Sequence, residues 1–302
     1  IVLLSFVVLT NTANAEKFNK KLQKYAEGVE KEYGQITEIR KEPLNEIVVQ
    51  IMADLKKYDV VQPLFICTHN SRRSHMAQLW LNTAAGFYGI GDIKPYSGGT
   101  ESTAFNKNAV SALQRAGFSF TEIEHEGQKA YIASTGGGNI ERLMFSKKYD
   151  DKVNPEKNFF AVMVCSEADE SCPVIPGADN RISLPYDDPR YFDGTPSVDV
   201  KYDETCRLIA REMFYVMSEI KKQLNQEGES ILEKILNIKE NPEPFSPDLG
   251  KPINTDYTPM APFPGTGGGP GKGSGGSGVD DKPWYRPESH PKKKEEKETK
   301  KK

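Results

Sequence analysis

The stretch PLFICTHNSRRSHM, residues 63–76, brings a cysteine, five polar residues, an arginine and a serine together in one short run. Leu64, Phe65 and Ile66 read as a buried strand, and Met76, Leu79, Trp80 and Ala84 recur at helical spacing, so Cys67 falls in a strand-to-helix turn. The first N–H groups of a helix have no intrahelical partner and point into the preceding loop, which makes such a turn a cradle for an anion. The same field acts on the sulfur, whose ordinary pKa of about 8.5 falls by several units near a helix N-terminus and an arginine. Cys67 is therefore expected to be substantially thiolate at neutral pH. Arg73 completes the arrangement, because its planar fork can hold two oxygens of a tetrahedral anion while the thiolate faces the central atom. Thr68, His69, Asn70, Ser71, Arg72 and Ser74 form the rest of the candidate binding loop. The alternative is a structural cysteine in a basic loop, since free cysteine usually fills core.

These residues need a frame. KPYSGG (94–99) reads as a second strand, and Phe105 to Gly117 as a helix with Ala109, Val110, Leu113 and Ala116 on one face and Gly117 as its C-cap. FSFTEIE (118–124), NFFAVMVC (158–165) and RISLPY (181–186) read as further strands, and Val198 to Leu224 as a long amphipathic helix. Strands alternating with helices predict an α/β fold, a three-layer sandwich around a small parallel sheet of about four strands. Ligands of such sheets bind beyond the carboxyl ends of the strands, where Cys67, Cys165 and the loop after Tyr186 all belong.

Two further stretches stand at that end. VCSEADESCP puts Cys165 at a strand end and Cys172 seven residues on, across a polar stretch expected to be flexible. YDDPRYFDG puts Asp187 and Asp188 in front of a proline. Taken together, the loop from Cys67 to Ser74, the cysteine pair and the Asp-Pro loop resemble the low-molecular-weight protein tyrosine phosphatase superfamily, and in particular its thioredoxin-coupled arsenate reductases. The resemblance covers roughly residues 60–224. It implies a reductase in which Cys67 attacks arsenate, Asp188 is the general acid, and Cys165 and Cys172 carry the electrons away as a disulfide that a thioredoxin-like protein reduces. It equally allows a phosphatase working through a phosphocysteine; Tyr191 and Phe192, close behind Asp188, resemble the aromatic walls with which those enzymes grip phosphotyrosine. A third reading is a non-catalytic oxyanion-binding or redox-sensing module. Arg72 and His69 depart from the common loop pattern, and ASTGGGNIERLMFSKKYDD (133–151) looks like an insertion that could cover the site.

Around this core the 302 residues carry a net charge of −3, with 37% hydrophobic and 27% charged residues, which is globular material with room for extensions. Residues 1–15 open with an apolar run and end in Ala13-Asn14-Ala15, the pattern of a cleaved secretory signal, and are too short to span a bilayer, which needs about 20 residues. The expected product is an exported, periplasmic or secreted chain with no membrane span. Residues 16–59 form a helical extension whose stripe of Leu44, Ile47, Val48, Ile51, Met52 and Leu55 suits a packing or lid helix. Residues 225–302 turn rich in Pro and Gly, then Lys and Glu, and are expected to be a solvated tail with no nucleic-acid partner. Cys206 belongs to an apolar helix face and reads as core; His75 and His125 read as surface or helix residues. No His/Cys spacing makes a zinc site, and no metal or organic cofactor is implied.

Overall fold

The computed structural model describes residues 18–136 and 141–240; the apolar N-terminal run and the tail beyond residue 240 lie outside the described residues. β1 (Pro63–Cys67) and β6 (Phe159–Met163) are wholly buried and occupy the middle of a four-stranded sheet. β2 (Tyr96–Gly99) flanks β1, β7 (Ala178–Ser183) flanks β6, and all the pairings are parallel. Continuous apolar runs suit strands covered on both faces, which is why neither PLFIC nor FFAVM alternates. The strand order β2-β1-β6-β7 places the next strand after β1 on one side and the later strands on the other. The chain thus reverses direction across the sheet at β1, and a crevice opens at that strand's carboxyl end.

The helices pack around this sheet: α3 (Arg73–Tyr88), α4 (Lys107–Ala116), α5 (Ser166–Ser171) and α6 (Val198–Glu240). α6 extends well past the expected end at Leu224. Gly89 closes α3 in a left-handed conformation, at φ 67°. The FSFTEIE segment is a strand but does not join the parallel sheet. It forms β3 (Ser119–His125), paired antiparallel with β4 (Gln128–Ser134), which in turn pairs with β5 (Glu141–Met144). The reason is local: Glu126-Gly127 makes a two-residue turn with both residues at positive φ, and a tight hairpin returns antiparallel. The apparent insertion is therefore the rest of a β-meander.

The N-terminal segment is part of the same core. α1 (Lys20–Glu30) is capped by Asn19, whose side chain accepts from Leu22 N at 2.9 Å, and α2 (Glu38–Asp54) by Thr37. Leu22, Ala26, Val29, Leu44, Ile47 and Ile51 are fully buried in one cluster with the sheet residues. Trp80 of α3 sits at the junction. It stacks on Tyr25 at 5.1 Å, meets Phe118 edge-on at 4.9 Å, and donates its indole N–H to Cys206 Sγ at 3.3 Å. Burial pushes the Cys206 thiol up to about 12, so this sulfur is an inert neutral acceptor, as expected of a core cysteine. His75 is not at the surface. It is fully buried on α3 against Phe105, with its pKa driven well below the ordinary value first by burial and then by nearby Lys147. His125 is half-buried at the end of β3, its ring against Phe145.

If residues 16–59 are core rather than lid, Ile47→Ala should destabilise the entire domain by about 2–5 kcal/mol, the range for emptying a buried aliphatic site. Urea unfolding followed by tryptophan fluorescence and by circular dichroism should shift together. A separate early transition for the helical segment would contradict this.

Candidate active site

The loop between β1 and α3 is held open by a backbone conformation that few residues adopt. Asn70 has φ 43°, the left-handed region, which asparagine tolerates better than other residues that carry a side chain. Its side chain secures the turn. Lys147 N–H donates to Asn70 Oδ1 at 3.0 Å, which fixes the amide so that Nδ2 donates to Ser74 Oγ at 2.9 Å. The Ser74 proton is then free to point at Cys67 Sγ, 3.1 Å away. Ser71 ties the loop from outside by donating to Ala104 O at 2.7 Å.

Gly99 of β2 explains why the loop can lie so close to the sheet. A Cβ there would stand 2.6 Å from Asn70 N and would collide with the carbonyls of Glu101 and Thr68. Thr100 N–H and Glu101 N–H donate to the carbonyls of Cys67 and Thr68, so the base of the loop is sewn to the end of β2. His69 lies at the rim, 3.7 Å from Glu101.

Arg73 opens α3 and is almost fully buried. Its Nη1 donates to Tyr186 O at 2.8 Å and its Nη2 to Asp188 Oδ2 at 2.7 Å, so the guanidinium links the thiol loop to the Asp-Pro loop. Its Nε is buried with no partner among the described residues, a donor free for an oxyanion. Asp188 accepts from Arg190 N at 3.0 Å, capping the short 3-10 turn Pro189–Phe192. Arg72 turns away from the sulfur and reinforces the same junction: Nε donates to Tyr202 OH at 2.7 Å and Nη2 lies 3.2 Å from Asp193. Tyr191 and Phe192 follow on the outer rim, Tyr191 being 69% exposed.

Cys165 and Cys172 flank α5 as its N-cap and C-cap, so the stretch expected to be flexible is a short helix. Cys165 is fully buried; its sulfur accepts from Ala168 N–H at 3.4 Å and lies 3.4 Å from Thr68 Oγ1, which places it beside the loop that carries Cys67. Burial raises its pKa, partly countered by the Thr68 hydroxyl and by Arg73. Cys172 is half-exposed. All four cysteines are free thiols. α5 is tied to β7 by Arg181, which donates to Cys172 O at 3.0 Å and pairs with Asp169. Among the described residues no cluster of His, Cys, Asp or Glu is arranged to hold a metal ion.

The sequence singled out these loops, and the structure brings Cys67, Arg73, Asp188 and Cys165 together, with Cys172 at the edge. It missed the contribution of Lys147, whose main chain sets the Asn70 amide, because no local pattern announces a contact across 77 residues.

A cysteine and an arginine thus stand at the switch point of a parallel sheet, facing an aspartate across one guanidinium, at the end of the sheet where such folds bind ligands. The family model described as low molecular weight phosphotyrosine protein phosphatase matches residues 62–160. The arsenate reductase of Bacillus subtilis is 30% identical over 131 residues, 43% of this chain and 76% of that protein. Arsenate reductase 2 of Staphylococcus epidermidis is 28% identical over 125 residues, 41% of this chain and 76% of that protein. A low molecular weight phosphotyrosine phosphatase of Vibrio cholerae superposes with a TM-score of 0.36 at 15% identity, over 53% of this chain and 95% of that one. The chain belongs to the low-molecular-weight protein tyrosine phosphatase superfamily, as an enzyme of the arsenate reductase or phosphatase type.

Two substitutions test the architecture of the loop. Ser74→Ala should slow alkylation of Cys67 by iodoacetamide at neutral pH about tenfold, because a hydrogen bond to a charged group contributes roughly 1.5–3 kcal/mol; an unchanged rate would mean that Ser74 does not donate to the sulfur. Lys147 is nearly buried over the Phe145 ring at 4.8 Å, and burial pushes its pKa down from 10.5 to about 8. Below pH 8 the folded protein carries the buried cation at full cost. Between pH 8 and 10.5 the unfolded chain holds a proton that the folded one has released, so stability rises with pH. Lys147→Met should therefore raise the urea midpoint most below pH 8, with the gain shrinking towards pH 10.5; a gain independent of pH would contradict the assignment.

Proposed function

We propose that the protein reduces arsenate to arsenite through a three-cysteine relay, with Cys67, Cys165 and Cys172 acting in turn. The observation that carries this reading is the graded placement of the three sulfurs: Cys67 inside the anion loop, Cys165 buried beside it, and Cys172 half-exposed at the far end of α5. The curated arsenate reductases of similar sequence support it.

Arsenate is held by the loop N–H groups and Arg73 while the Cys67 thiolate attacks arsenic; Asp188 gives its proton to the departing oxygen, which leaves as water. Cys165 then loses its proton and attacks Cys67 Sγ. The Cys67–arsenic bond breaks with both electrons going to arsenic, arsenite leaves, and a Cys67–Cys165 disulfide remains. Cys172 thiolate attacks Cys165, which frees Cys67 as thiolate and leaves a Cys165–Cys172 disulfide for an external thioredoxin-like dithiol to reduce. The raised pKa of Cys165 keeps the second nucleophile protonated at rest, out of competition with Cys67 for the anion.

The structure adds a condition to the last step. Two caps of a six-residue helix stand roughly 10 Å apart along its axis at 1.5 Å per residue, whereas a disulfide needs Cα atoms within about 7 Å. α5 must unwind for Cys172 to reach Cys165. It is a single short helix, so little cooperative structure opposes the change. Export through the apolar N-terminal run belongs to the same proposal, and it would require the dithiol donor to work outside the cytosol.

A phosphatase is the second reading, favoured by the exposed Tyr191 and Phe192 beside Asp188. Here Cys67 takes the phosphoryl group, Asp188 protonates the leaving phenol, and water completes the turnover without a second thiol. Cys172→Ser separates the two. In a reductase it should abolish multiple turnover of arsenate and leave a Cys67–Cys165 linkage visible by mass spectrometry, while any aryl phosphatase activity persists. Arsenate turnover equal to wild type would remove the relay, and a wild type inert to arsenate but active on an aryl phosphate would establish the phosphatase.

A further inference from the structure

The Asp-Pro loop is gripped from two sides, and only one of them belongs to the region that the family model matches. From the thiol side Arg73 holds the carbonyl of Tyr186. From the opposite side Arg40, on α2, donates from Nη1 to the carbonyl of Pro185 at 3.0 Å, and its guanidinium lies over the Tyr186 ring at 4.6 Å. The remaining face of Arg40 is a bidentate fork on Glu212 of α6, with Nε to Oε1 at 2.8 Å and Nη2 to Oε2 at 2.9 Å. Glu212 is 1% exposed, so its position is fixed by the core. All three nitrogens and the face of one planar cation are thus committed to a single orientation, a geometry that an ammonium cannot reproduce.

We propose that Arg40 is a positioning residue for the reaction: anchored by Glu212, it fixes Pro185 and Tyr186, and through them sets where Asp188 stands relative to Cys67. Proline has no N–H, and among the described residues the Pro185 carbonyl accepts from Arg40 alone. Among the described residues the other hydrogen bonds of this segment are Tyr186 N–H to Val164 O at 3.2 Å and the bond from Arg73, and the Tyr186 ring is buried in the core. Loss of the Arg40 contacts frees the loop on the side remote from the anion, while the thiol loop keeps its own fastenings to Ser74, Lys147 and β2. Anion binding and proton delivery are therefore separable at Arg40, and the N-terminal helical segment serves the chemistry without touching substrate.

The inference rests on Asp188 as the general acid, and the experiment keeps the two claims apart. Arg40→Ala would strand a buried carboxylate and threaten the fold, so the informative variants are Arg40→Lys and the neutral double variant Arg40→Gln/Glu212→Gln. The substrate is arsenate with a dithiol reductant, or an aryl phosphate, according to which the wild type turns over. The single-turnover rate of the first chemical step should fall about tenfold in the double variant, since small displacements of a catalytic group are costly. Titration with inorganic phosphate should give a Kd within about twofold of wild type, showing that the fold and the cradle survive, and Arg40→Lys should fall between the two. In an Asp188→Asn background the same changes should cost less than about twofold, because the group being positioned is gone. An unchanged rate in the double variant, a matching loss of phosphate affinity, or an equal loss in both backgrounds would overturn the positioning role. Asp188→Asn having no effect by itself would overturn the acid assignment instead.

Discussion

The left-handed turn at Asn70 is the constraint on which the active site depends. It curls five residues tightly enough for the start of α3 to face the sulfur that ends β1, and it persists because both ends of one amide are occupied. Its requirements spread outward. β2 must end in a glycine where the loop crosses it, the segment after β5 must bring a main-chain N–H to the amide, and Ser74 must accept from the amide in order to present its proton to Cys67. The stretch 133–151, which looks like an insertion in the sequence, supplies β5 and Lys147 and is thereby part of the loop's support.

A second layer of organisation joins the thiol loop to the Asp-Pro loop. Arg73 and Arg40 stand on either side of the Pro185–Tyr186 dipeptide, one reaching from α3 and the other from α2. Arg72 makes a third link, through Tyr202 and Asp193, between the thiol loop, α6 and the residues after Asp188. α6 receives two of these three links, so it joins the thiol loop, the acid loop and the N-terminal helices in one rigid frame. α5 is tied by side chains to Arg181 and Ser183 of the outer strand, and on its inner side Glu167 lies 4.0 Å from Arg73. In the proposed relay, α5 is the element that must rearrange.

What was legible in the sequence follows from range. The strand, loop and helix around Cys67 are contiguous, and their patterns change period within a dozen residues, so Cys67, Arg73 and Ser74 could be read directly. The Asp-Pro pair and the cysteine pair were legible as motifs whose meaning came from family resemblance. Three features were not. The strand at Ser119–His125 has the composition of any half-buried strand, and only the turn at Glu126-Gly127 decides that it folds back on its neighbour. The helix between Cys165 and Cys172 is short and polar, and depends on capping by a sulfur and on Arg181 rather than on periodicity. His75 shares the helical face that packs on Phe105, a burial set by a contact 30 residues away. The role of Arg40 is similarly hidden, because its partners lie 145 and 172 positions downstream.

The exposure of the four sulfurs has a consequence for how the protein ages. Three of them, Cys67, Cys165 and Cys206, are buried to within a few per cent, and only Cys172 meets solvent to any extent. A bulky oxidant or electrophile in the surroundings therefore encounters Cys172 first, the sulfur that stands outside the anion loop. Peroxide small enough to follow the oxyanion's route is the exception, and the hazard it poses grows with the nucleophilicity of Cys67. The burial of Cys67 thus sorts chemical damage by size, sparing the loop from large reagents and leaving it open to small ones.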